Sequence, residues 1–210
     1  MATICRQRGA RWWGLVGAAT LAAGALPAGP VTAAARTRVI PIRPVTAQGH
    51  LQPGYRITQR FTQGTCEAGS DVLSGVYRCF AGNFVFDPCW ADDASSAPGV
   101  YCQSEPWSRD VAHLSLKQPL VASPGGPLAI WGLQLSGGQR CIAAQGAHSF
   151  FDGGRYTVNF FCPGSLVLLN QAKQTGPVWT IGTARTKGGG FVLGRPANIA
   201  IAWQGLPSHL

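Results

Sequence analysis

The stretch Leu128-Ala-Ile-Trp-Gly-Leu-Gln-Leu-Ser136, continued by Gly137-Gly138-Gln139 into Arg140-Cys-Ile-Ala143, decides the fold class. Trp131, Leu133 and Leu135 recur with a period of two, which puts them on one face of a β-strand. Gly137-Gly138 then supplies two residues that enter the left-handed region without steric cost, as a tight hairpin turn requires. The same grammar recurs on both sides. Val76-Tyr-Arg-Cys-Phe80 and Asn83-Phe-Val-Phe86 are joined by Ala81-Gly82. From Arg155 to Cys162, Tyr156, Val158, Phe160 and Cys162 share a side, and Pro163-Gly164 turns the chain into Ser165 to Leu169. Val178-Trp-Thr-Ile181 and Asn198 to Trp203 supply two late strands. Turn clusters and the lack of a 3.6-residue pattern predict an all-β fold, a disulfide-stabilised antiparallel sandwich or partly open barrel with short helical turns only. Gly69 to Ser74 is the candidate for such a turn. Arg185 to Gly190, with Lys187 and three glycines, is expected to be a mobile hairpin loop.

The 210 residues are 46% hydrophobic and only 12% charged, an average over unlike segments. Residues 1–35 read as a signal peptide: Arg6, Arg8 and Arg11, then the uncharged run Trp12 to Leu26, then Pro27, Gly29 and Pro30 before Ala33-Ala34-Ala35. The apolar run is too short and too Gly-broken for a span of ~30 Å of hydrocarbon. Residues 36–54 carry Pro41, Pro44, Pro53, Arg36, Arg38 and Arg43 and read as a linker or irregular lead-in. Residues 55–205 then form a single β-rich disulfide domain. From Arg36 onward, fourteen Lys/Arg stand against eight Asp/Glu, a net charge of +6. These cations are scattered rather than clustered, which argues against a nucleic-acid partner. A membrane is expected to be met only through the signal peptide during export.

Cys5 lies in the signal, and Cys66, Cys79, Cys89, Cys102, Cys141 and Cys162 remain. An even number in an exported chain implies disulfides. Six thiols allow fifteen connectivities, and sequential pairing is the expectation: Cys66–Cys79, Cys89–Cys102 and Cys141–Cys162. Each such ring restricts the unfolded chain by about 3 kcal/mol in the chain-entropy model. Zinc is disfavoured, because no C-x-x-C pair occurs and structural zinc sites use closely spaced ligands.

The sequence contains no nucleophile elbow, H-E-x-x-H, P-loop or dinucleotide fingerprint. His50, His113, His148 and His209 are far apart in sequence, so no catalytic residue, metal or cofactor is assigned. A triad could still assemble in space, which keeps a secreted hydrolase as an alternative. The richest constellation surrounds the Cys89–Cys102 ring. Asp87, Asp92 and Asp93 could bind a cation or sugar, Trp90 and Trp107 could serve as stacking platforms, and Tyr101 and Arg109 complete the candidate binding set. The structural reading of the same residues is an Asp87-Pro88 turn, a solvated Asp92-Asp93 loop, and Trp90 and Trp107 packed on disulfides and proline. Trp131, Trp179 and Trp203 read as core, each indole N–H finding a carbonyl. Phe151 or Phe161, if turned outward, would mark an apolar contact surface.

The run Tyr77-Arg-Cys79, Gly82-Asn83, Asp87-Pro88-Cys89-Trp90, Val100-x-Cys102 and Pro106-Trp107 resembles a pattern in secreted and lipoprotein-like proteins of high-G+C actinobacteria. Gly64-Thr-Cys66, Arg140-Cys141, Gly176-Pro-Val-Trp179 and Ala202-Trp203 extend the likeness over residues 64–203. It departs at Glu67-Ala-Gly-Ser70, where the group has a Trp-containing run. No activity attaches to that group, so the resemblance implies export, disulfides and one domain, and assigns no site residue. The expected function is a non-enzymatic exported domain that binds an envelope or extracellular partner, such as a cell-wall polymer, an envelope protein or a small ligand. A structural module without a ligand is the remaining alternative.

Overall fold

A computed structural model describes residues 35–93, 98–122, 129–146 and 148–206. The signal-peptide reading falls, apart from Ala35, outside the described residues. Five strands close a first barrel: β2 (Arg56–Ala68), β3 (Tyr77–Ala81), β4 (Phe84–Ala91), β5 (Gly99–Cys102) and β6 (Asp110–Leu116). Successive strands are antiparallel, so the first and fifth run the same way and the barrel closes through a parallel β2–β6 pair. Closure with so few strands needs a bent one. β2 pairs with β6 through Arg56 to Gly64 and with β3 through Thr65 to Ala68, with register breaks between Ile57 and Gln59 and between Phe61 and Gly64. Bulges of this kind bend a strand.

The interior of this barrel holds Ala81, Val100, Ala112 and Leu114 around cysteine side chains. Cys66 lies directly opposite Cys79, and Cys89 opposite Cys102. Disulfides join both pairs. The sulfurs of Cys79, Cys89 and Cys102 lie within 4.8 Å of one another, so the two bridges pack together as core. A disulfide sulfur is not the thiolate that zinc requires.

The second sheet also returns onto itself. β14 (Ala197–Gly205), β7 (Ile130–Leu135), β8 (Arg140–Ala143), β10 (Tyr156–Phe161), β11 (Leu166–Lys173) and β12 (Trp179–Lys187) are neighbours in that order, and β12 pairs again with β14. Leu133, Phe160, Leu168, Ile181 and Ile199 fill the interior, with the Cys141–Cys162 disulfide at one side. β9 (Phe150–Phe151) and β13 (Gly190–Leu193) are added outside the ring. Phe151 stacks on Phe191 with centroids 4.5 Å apart, over Val158, Val167 and Leu169.

The all-β, disulfide-stabilised expectation is met, as closed barrels, and all three disulfides follow the sequential pairing. Within residues 36–54, expected to be a linker or irregular lead-in, Arg38–Ile42 form a strand, and the rest is turns, bends and isolated bridges with Val45 buried. β1 (Arg38–Ile42) runs parallel to β14, from Arg38 opposite Ile201 to Ile42 opposite Gly205. Thr37 Oγ1 donates to the Ile199 carbonyl at 2.6 Å and accepts from the Trp179 N–H at 2.8 Å. Pro41 is tolerated because β1 is the outermost strand of its sheet, where a missing N–H breaks no ladder. Gly69 to Ser74 forms turns rather than a helix. Arg185 to Lys187 belong to β12, paired with β13 as far as Lys187 opposite Gly190, so only Gly188 and Gly189 make the turn.

The described residues all belong to one compact unit, in which the barrels share a core. Trp90 from the first meets Trp131 and Trp203 from the second, together with Ile42, Val45, Val72, Leu73 and Val76. The Trp90 and Trp131 centroids are 6.0 Å apart. Gly132 lets the sheets approach: a Cβ there would lie 2.5 Å from Pro106 Cγ. Neither buried indole N–H of Trp90 or Trp131 finds a partner, which corrects the expected carbonyl for Trp131; Trp179 is only half-buried.

Replacing Cys89 and Cys102 together by Ala should lower the unfolding free energy by about 2–5 kcal/mol, read from the denaturant midpoint. Alkylation of the unreduced, denatured chain should label none of the cysteines from Cys66 to Cys162; one labelled thiol there contradicts the three bridges.

Candidate functional site

The seven candidate residues do not converge. β4 carries Asp87 and Trp90 on its inward-packed half, and both are buried, Trp90 completely. Trp90 therefore belongs to the inter-barrel core and is no stacking platform. Trp107 is half-buried against Trp203, edge-on with centroids 5.2 Å apart, and the Arg140 guanidinium lies 5.5 Å from its ring centroid. Its ring faces are thus largely spoken for by protein. Arg109 sits over the Tyr55 ring at 4.6 Å, away from the other candidates.

Asp92, Asp93 and Tyr101 form a second cluster through partners that sequence spacing does not reveal. Direct cross-strand pairing aligns Tyr101 of β5 with His113 of β6, and His113 with Arg60 of β2. The Tyr101 and His113 rings are 5.0 Å apart. His113 Nε2 is 2.9 Å from the Asp92 carboxylate, which also accepts the Gly99 N–H at 3.1 Å. Asp93 pairs with His50. Burial, and then the negative charges of Asp92 and Asp93, push the Tyr101 hydroxyl above its usual pKa, with Arg60 opposing. Gly99 lies beneath the Asp92–His113 pair: a Cβ there would overlap the Asp92 carboxylate and come within 2.9 Å of His113 Nε2. The pair is therefore seated against backbone, and its contacts describe a clamp between β5, β6 and the Asp92 turn.

Asp87 leads to a different place. Its carboxylate accepts hydrogen bonds from the Ser70 hydroxyl and the Asp71 N–H, the latter at 2.9 Å. Ser70 Oγ in turn accepts the N–H groups of Val72 and Leu73, each at 3.1 Å. This chain of bonds holds the turn that inserts Val72, Leu73 and Val76 into the shared core. Asp87-Pro88 lies within β4 rather than at the turn expected from sequence. Burial is the largest influence on Asp87 and outweighs its hydrogen bonds, raising its pKa from 3.8 to about 6.

Beside Asp87 the two barrels diverge and leave a cleft of about 310 Å³. Val85, Phe86, Ile142 and Phe161 give it apolar walls, and Asp87, Gln103 and Gln145 give it polar ones. Val85 is 51% exposed and Phe161 48% exposed, so of the two phenylalanines left open by the sequence it is Phe161 that turns outward, at the cleft mouth. Phe151 instead lies within the outer cluster. Gln145 Nε2 donates to the Asp87 carbonyl at 2.6 Å, tying the barrels together across the floor. Gln103 Nε2 donates to the carbonyls of Glu105 and Ser108, while its Oε1, buried, has no partner. Polar groups converging within apolar walls are the usual makeup of a ligand site. Gln103 and Gln145 carried no sequence signal, because they meet only where the barrels touch. Comparison of the chain with protein-family models, curated proteins and solved structures found no match.

Two outcomes test this geometry. Because the folded pKa of Asp87 exceeds the unfolded value, the folded state binds more protons between them. Stability is then highest below pH 3.8 for this group and falls as pH rises through about 6, by about 3 kcal/mol. Denaturant titrations of wild type against Asp87→Asn should show that the decline disappears in the variant; identical pH profiles would remove Asp87 from the account. Gly99→Ala should destabilise by about 1–3 kcal/mol through overpacking, and should separate the Asp92 and His113 signals from their wild-type positions in NMR spectra.

Proposed function

We propose that this chain is an exported, non-catalytic binding domain for an envelope or extracellular partner, and that it engages that partner at the cleft where its barrels diverge. The observation that carries the reading is the pairing of half-exposed Val85 and Phe161 across a floor of Asp87, Gln103 and Gln145. Such a site fits an apolar group bearing a hydrogen-bonding head. The apolar part displaces water from Val85, Phe86 and Phe161, and a hydrogen-bond donor in the head meets the unpartnered Gln103 Oε1 and the Asp87 carboxyl. Burying half of one such side chain is worth about 1 kcal/mol, so affinity at this cleft rests on the polar floor as well.

Support for export comes from the three disulfides, which form and persist in oxidising compartments, and from the N-terminal pattern of Arg6 to Ala35. Support for binding over hydrolysis comes from the site chemistry. The six cysteines from Cys66 onward are bonded in three pairs, and His113, paired with Asp92 over the Gly99 backbone, packs at a tilt against the Tyr101 ring. The likeness to secreted actinobacterial proteins is consistent with the same reading.

The experiment is capture from cell-envelope preparations by immobilised protein, comparing wild type, Val85→Ser/Phe161→Ser and Trp107→Ala. The double variant should recover at least about tenfold less of the captured species, and Trp107→Ala should behave as wild type. Equal recovery by wild type and the double variant ends the cleft assignment.

A further inference from the structure

Charge divides between the two barrels. Residues 56–116, which build the first, carry four Lys/Arg against seven Asp/Glu, a net of −3. Residues 130–205, which build the second, carry six against one, a net of +5. That single acid, Asp152, pairs with Arg155 at 3.5 Å. Lys173, Arg185, Lys187 and Arg195 consequently have no carboxylate partner among the described residues; Arg185 makes one long hydrogen bond, 3.4 Å, to the Ser165 hydroxyl.

Three of these cations gather at the β12–β13 hairpin. Register places Arg185 opposite Val192 and Lys187 opposite Gly190. Arg195, just beyond β13, lines with them a cleft of about 490 Å³ that also includes Val192 and Leu193. A second cleft of about 320 Å³, lined by Lys173, shares Leu193 with the first. Val192 and Leu193 are 54% and 50% exposed. Consecutive strand residues point to opposite faces, so neither face of the hairpin is closed over at this point. An isolated exposed aliphatic needs no explanation. Two on opposite faces of one hairpin, flanked by unpaired cations on the basic barrel, do call for one.

We propose that this hairpin is a contact surface for anionic phospholipid membranes, with Arg185, Lys187 and Arg195 on headgroup phosphates and Val192 and Leu193 entering the headgroup layer. Peripheral binding of this kind combines buried apolar area with attraction to anionic lipid. The charge division orients the approach, turning the basic barrel toward the surface and the acidic one away. A soluble polyanion would use the cations but leave the aliphatics idle. An added peptide strand along the β13 edge would pair its backbone but would not in itself answer the cations. The lipid surface is the one partner that engages cations and both aliphatics together. This surface is separate from the cleft at Val85 and Phe161, so the two readings stand or fall independently.

The test is flotation of the full chain with vesicles of phosphatidylcholine and phosphatidylglycerol at roughly two to one, and with pure phosphatidylcholine. Residues 1–35 are common to all variants, so differences between variants report on the hairpin. Arg185→Gln/Lys187→Gln/Arg195→Gln should lose about fivefold in partition per cation, near a hundredfold together. Val192→Ser/Leu193→Ser should lose about tenfold. Both variants should retain the wild-type far-UV spectrum and three disulfides. Molar salt should mimic the triple variant by shortening the screening length to about 3 Å. Equal partition of wild type into the two vesicle types overturns the proposal. So does a triple variant that partitions like wild type. Competition by inorganic polyphosphate, with no loss from the aliphatic variant, also overturns it and assigns the surface to soluble polyanions.

Discussion

The contact of Trp90 with Trp131 is the constraint on which the rest of this molecule depends. Each barrel is closed by its own hydrogen bonds, and nothing in that ladder joins β2–β6 to the second sheet. The tryptophan layer does, with Val72, Leu73 and Val76 delivered by the turn that Ser70 and Asp87 hold. Two buried indole N–H groups go without acceptors there, at about 1–3 kcal/mol each. Burying an indole removes about 150–250 Å² from water, worth about 4–6 kcal/mol at 25 cal/mol/Å². Apolar burial wins, so an imperfectly satisfied seam is still cohesive. The same contact creates the cleft, because two convex barrels that touch along one layer must diverge beside it.

The disulfides answer a different shortage. A five-stranded barrel has room for few large side chains, and here two cystines occupy much of that space with Leu114 and Val100. They act as core and as chain restraint at once. Their ring sizes are short because each pair spans adjacent strands, which is also why nearest-neighbour pairing along the sequence was the correct expectation. Cys141 and Cys162 follow the same rule: β8 pairs with β10 up to Ile142 opposite Phe161, one residue from the bridge.

What could be read in advance was local. The Gly137-Gly138 hairpin and the alternation of Leu133 with Leu135 rest on short-range periodicity and turn chemistry, whereas Trp131, expected on their face, leaves it at a register break and joins the inter-barrel core. What could not be read was set by partners distant in sequence. β1 lacks alternation and carries Pro41, and its partner β14 lies about 160 residues away, so no window around residues 36–54 contains the reason they are ordered. Asp92 meets His113, and Asp93 meets His50, only after β5, β6 and the lead-in are placed. Trp90 illustrates the reverse error. An aromatic among acids and a disulfide suggests a binding platform, yet strand alternation sends its neighbour Cys89 inside the barrel and Trp90 outside it, onto the second barrel rather than into solvent.

Barrel size also decides where function can reside. Small closed barrels are filled by their own side chains, whereas larger ones enclose ligands. The interiors here are packed with Leu133, Leu168, Ile181 and Ile199 in one case and with the cystines in the other. The clefts at Phe161 and at Arg195 lie on the outside, where closure is interrupted: beside the tryptophan layer, where the surfaces part, and at β13, where the second sheet ends in an edge. The two places differ in chemistry. The first offers apolar walls over amides and one carboxyl whose pKa burial raises to about 6, suited to a compact guest with a polar head. The second offers unpaired cations around exposed aliphatics, suited to an extended anionic surface. A domain with both can hold one partner while resting against another, and the seam keeps the distance between them fixed.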